Sequence, residues 1–126
     1  MIHLKHTRLA PFDIPFVAIV GHPSEVDKYM KKKFGTGKSN MSTPGFGGGV
    51  ALLKHPLQAN TPTIVMVFPE FPEAEAVAHE AIHVLFCIQK VHGIEIGAGA
   101  EEWMAYMIGY IVQEVVMQTG WREVPT

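Results

Sequence analysis

One cysteine in 126 residues, Cys87, leaves no internal disulfide to form and is compatible with a reducing compartment. Charge is also scarce: the net value is −2, and the only basic cluster is Lys31 to Lys33, so the chain carries no nucleic-acid footprint. A long apolar run is missing too. The longest uncharged stretch near the end, WMAYMIGYIVQ, falls well short of the roughly 20 residues a bilayer span needs. The start, MIHLKHTRLAPFDIP, has neither a continuous apolar core nor a small-residue cleavage site, so no signal peptide is expected. These absences predict a soluble, cytoplasmic protein with no nucleic-acid and no membrane partner. Internal repeats are absent, and 126 residues support one domain with a modest core.

What is present reads as alternating short elements. IPFVAIVG, Ile14 to Gly21, is a branched apolar run closed by glycine and predicts a buried strand. Ser24 and Asp27 resemble a capping box, Val26, Tyr29, Met30 and Phe34 fall on one helical face, and Gly35 ends the helix. The lysines before Gly35 read as a solvated helix end that complements the macrodipole, in preference to a phosphate or partner patch. GTGKSNMSTPGFGGG has loop composition, and its GTGKS fails the phosphate-loop spacing because Lys32 stands where the first glycine should be. Val50 to Lys54 and Thr63 to Phe68 read as two strands pairing antiparallel. Pro72, the acids of EAEA and the final Gly93 bracket a helix over residues 73–92.

That helix contains HEAIH, His79 to His83, where residue types and spacing dictate a chemistry. One helical turn puts His79 and His83 on the same face, so two imidazoles can reach one metal ion, and Glu80 stands beside a water on that ion. Its apolar flank, Ala78, Val84, Leu85 and Phe86, would make unpaired histidines and a glutamate costly to bury. Two histidines do not complete a site. The metzincin continuation HExxHxxGxxH is excluded by Phe86 and Gln89. Cys87 lies eight residues from His79, about 12 Å along a helix, too far to share an ion with both histidines. The remaining candidates are carboxylates at the start of the next helix, GAGAEEWMAYMIGYIVQEVV.

HEAIH followed by EEWMAY resembles the gluzincin pattern, in which a glutamate in an ExxA sequence on the following helix completes the site, and is similar to small metallopeptidase-like proteins of phages and prophages. The resemblance implies Glu102 as third zinc ligand, with Glu101 in reserve, and an α+β minimal zincin-like fold: a small twisted mixed sheet packed on the motif helix and the ligand helix, in the order β-α-β-β-α-α. Where many gluzincins carry Asp after the Ala of ExxA, this chain has Tyr106. It further implies a strand bordering the cleft at Gly48 to Leu53, an open edge on which an extended peptide can add. The expected activity is zinc-dependent peptide-bond hydrolysis with Glu80 as general base and a peptide or protein substrate; Tyr106 or Tyr110 is a candidate for oxyanion stabilisation. The alternative is a catalytically inactive zincin-fold binding or assembly protein, phage-associated. His92 reads as a helix-end residue, and His3, His6, His22 and His55 as surface or loop residues. The last helix is apolar on nearly all faces from Trp103 to Met117, which predicts a homodimer or partner surface there.

Overall fold

The computed structural model describes residues 1–10, 13–35, 48–55, 58–94 and 98–125. Its elements are β1 (Ile2–Leu9), β2 (Ile14–Val20), α1 (Pro23–Phe34), β3 (Gly49–His55), β4 (Gln58–Phe68), α2 (Ala74–His92), a 3-10 turn (Ala98–Ala100), α3 (Glu101–Val116) and β5 (Arg122–Val124). The class is α+β. The strands form one mixed sheet in the order β3-β4-β2-β1-β5, with β2 and β4 parallel and the other neighbours antiparallel.

Strand β2 shows why the sheet has two covered faces. From Phe16 to Val20 every residue is buried, the continuous apolar signature of a strand packed on both sides. Phe16, Ala18 and Val20 point to one core with Met66, Phe68 and the helices α2 and α3; Val17 and Ile19 point to another with Ile2, Leu4, Val26 and Met30 of α1. The motif helix therefore sits on one face and α1 on the other.

Helix α2 ends on Gly93 in the left-handed conformation, its N–H bonded to the Gln89 carbonyl, as its sequence predicts. Helix α1 begins differently from expectation. His22 is the cap, its Nδ1 accepting from the Ser24 N–H, because Pro23 takes the first helical position and moves the start two residues earlier. The expected order β-α-β-β-α-α also lacks two strands. β1 carries polar and charged residues, including the buried Lys5, that hide its alternation, and β5 is only three residues long. Lys5 is 6% exposed and donates to the Glu114 carbonyl, with the Glu114 carboxylate 3.8 Å away, so it fastens β1 to α3. The stretch 36–47, including most of the Gly-rich loop, and residues 56–57 lie outside the described residues.

Helix α3 buries one stripe, Met107, Ile111 and Val115, half-buries Trp103, Met104, Ile108, Tyr110 and Val112, and leaves Tyr106 and Val116 exposed. The sheet and α2 thus cover more of its apolar surface than the sequence alone suggests. Among the described residues no helix is long and apolar enough to cross a membrane.

Candidate metal centre

Helix α2 buries Val77, Ala81, Val84, Leu85 and Ile88 against the sheet. The complementary stripe, His79, Ile82, His83 and Phe86, follows the i, i+3, i+4, i+7 spacing and is exposed. Both histidines therefore stand on the open side of the helix with an apolar residue beside each. Their rings are 5.8 Å apart at 62°. Glu80 lies between these faces, 8% exposed.

A nitrogen of each histidine and a carboxylate oxygen of Glu80 all lie within 4.8 Å of one another. Tetrahedral zinc with nitrogen bonds of about 2.0–2.1 Å wants its two nitrogens about 3.4 Å apart. Glu80 Oε2 is buried with no hydrogen-bond partner. Leaving a buried carboxylate oxygen unsatisfied is costly, and the cost is understandable where a water or substrate is meant to meet it. The donor set could hold a metal ion: two imidazoles on one helical face and a carboxylate beside them.

The environment of Glu80 is set partly by a glycine. A Cβ on Gly48, just before β3, would stand 2.8 and 2.9 Å from the Phe68 ring and 3.4 Å from Glu80 Cγ. The missing side chain makes room for Phe68 and for the stem of Glu80. Strand β3 is the terminal strand of the sheet and borders α2, where the cleft-lining strand was expected.

Other expected site residues are placed differently. Glu101 and Glu102 are both exposed in the first turn of α3, where carboxylates suit the positive end of the macrodipole, and neither belongs to the cluster of His79, Glu80 and His83. The connection at 95–97 that sets the approach of α3 lies outside the described residues. Tyr106 is one turn beyond Glu102, on the same side of α3, and 74% exposed. Tyr110 is directed away to β1, its hydroxyl 3.5 Å from Thr7 Oγ1. Cys87 is half-buried outside the cluster, and burial pushes its thiol pKa up despite the opposing Lys90. Of the other histidines, His3 and His6 are strand residues of β1; His6 lies at the surface as expected, and His3 is half-buried and packs on Phe71, with ring centroids 5.0 Å apart. The Gly48–Phe68–Glu80 contact was not legible, because it joins three elements distant in sequence.

No family model matches this chain, and neither does any curated protein or solved structure.

Proposed function

We propose that the protein is a zinc-dependent peptide-bond hydrolase. The observation that carries the reading is the pairing of two exposed histidines on one face of α2 with the adjacent Glu80, whose buried Oε2 has no partner. Zinc held by His79 and His83 would acidify a water and polarise a substrate carbonyl. Glu80 accepts the proton of the attacking water as the oxygen–carbon bond forms, and passes it to the leaving nitrogen as the carbon–nitrogen bond breaks. The edge position of β3 supports an extended peptide as substrate, held by main-chain hydrogen bonds. Ile82 and Phe86 offer an apolar contact beside the histidines. Glu102 is the proposed third ligand, with Glu101 as the alternative.

A second reading is a zincin-like binding or assembly protein without proteolysis. It is favoured by the placement of Glu102 outside the cluster and by the exposure of Tyr106, which leave the third ligand and the oxyanion donor without a partner in the site. The two readings separate in a paired experiment on wild type and Glu80→Gln that measures cleavage of a peptide library and capture of partners. A hydrolase loses cleavage on substitution; a binding protein cleaves in neither form and captures in both.

A further inference from the structure

The face of the sheet opposite the histidines carries a second cleft. Helix α1 has twelve residues, about 18 Å at the helical rise, and stops at Phe34. Beyond it no other described helix covers that part of the sheet. The register pairs His6 with Val17 and Arg8 with Pro15, and Val17 in turn with Val65, so His6, Arg8, Pro15, Val17 and Thr63 share the α1 face. Tyr29, Lys33 and Phe34 of α1 close one side. The space is about 400 Å³, within the roughly 300–1,000 Å³ of small-molecule sites.

The chemistry of the walls is one-sided. Arg8, Lys33 and His6 line the cleft together with Tyr29, and no carboxylate does among the described residues. Arg8 is anchored at the rim by Asp13, to which it donates from Nε at 2.5 Å and from Nη2 to the backbone carbonyl at 2.8 Å, so its guanidinium is oriented before any ligand arrives. Lys33 makes no ion pair among the described residues. Arg122 pairs with Leu4 across β1 and β5, placing it on the same face. Partial burial first, then the nearby Arg122 and Lys33 cations, hold the His6 pKa below its usual range. On the far side of Tyr29 and Lys33 a smaller hollow of about 300 Å³ is lined by Lys28 and Lys32, extending the same sign of charge. The C-terminus of α1 contributes about half a negative charge, less than the full charges around it, and Gly35 N–H already occupies the Lys31 carbonyl. The floor is apolar at Pro15 and Val17, with Phe34 beside them.

We propose that this cleft binds a small organic anion, a carboxylate or phosphate monoester on a flat apolar body, with Lys33 and Arg8 holding the anionic head and Phe34, Pro15 and Val17 the body. It lies on the other side of the sheet from the metal centre and stands whether or not the protein is a hydrolase.

The test is an NMR titration of the full chain with phenyl phosphate and with benzoate, beside inorganic phosphate and phenol as half-ligands. Binding of phenyl phosphate or benzoate with Kd near or below about 1 mM is expected, with shifts at residues 6–8, 15–17 and 33–34. Each half-ligand should bind at least about tenfold more weakly, since head and body contribute separately. Lys33 is exposed at a helix end, so Lys33→Glu should fold; it should weaken binding at least about tenfold, whereas Lys90→Glu on α2 should leave it unchanged. Saturable binding with that pattern supports the site. The proposal is overturned if neither ligand shifts those residues by about 10 mM, if inorganic phosphate binds as tightly as phenyl phosphate, or if Lys33→Glu falls short of the stated loss.

Discussion

Replacing Glu80 by Gln separates catalysis from metal binding and from stability in one variant. The side chain is 8% exposed and its Oε2 has no partner, so the wild-type protein buries an uncompensated acceptor on an ionisable group. Gln keeps the size and one oxygen but cannot carry charge. A neutral amide costs less to bury unsatisfied than a carboxylate, and the difference is worth about 1 kcal/mol of added stability in the metal-free protein. For 126 residues, an unfolding entropy of about 2.1 cal/mol/K per residue converts that to a Tm rise of about 4 °C. The same change removes the group that takes the proton from water, which should lower peptide cleavage by about 10²- to 10⁴-fold. Zinc content should stay at the wild-type level because the histidine ligands are untouched. Calorimetry of the chelated proteins, elemental analysis and a fluorogenic peptide assay read the three quantities. A fall in Tm would mean that Oε2 has a partner in the folded chain, and undiminished cleavage would remove Glu80 from the mechanism.

Further outcomes follow from the same geometry. His79→Ala should lose zinc by elemental analysis; of the two acids on α3, which point about 100° apart, Glu102→Gln should lose zinc and Glu101→Gln retain it. Gly48→Ala forces a methyl to within 2.9 Å of the Phe68 ring, so it should destabilise by about 1–3 kcal/mol in urea unfolding and, by shifting Glu80, lower kcat more than zinc affinity. His6 has a folded pKa below 6.5, owing to burial and then to Arg122 and Lys33. As pH falls from about 6.5 through that lowered value, the unfolded chain takes up the proton first, so the native state loses stability across that window. His6→Gln should shrink the difference in urea midpoint between pH 7.5 and 5.

The elements that could be read from the sequence were those whose signals are local. Pro72, the acids of EAEA and Gly93 mark both ends of α2, and the branched run of β2 identifies a strand buried on both faces. The ends of β4 were blurred by Pro62, which sits opposite Lys54 beside the irregularity between Lys54 and His55, where a proline is tolerated in a strand. β1 escaped because Lys5 breaks its polarity pattern, and nothing in its own sequence announces that Glu114 of α3 will satisfy it. The site divides in the same way. His79, Glu80 and His83 come together through helical spacing alone. The approach of Glu102 depends on how α3 is carried past α2, a tertiary matter, as are the glycine that accommodates Glu80 and the basic cleft made by three strands and α1.

The most direct measurement is cleavage of a broad peptide library by the zinc-loaded protein, with and without a chelator. The account predicts cleavage that stops when zinc is removed and returns when zinc is restored. A fully zinc-loaded protein that cleaves nothing, or cleavage indifferent to the chelator, would contradict it.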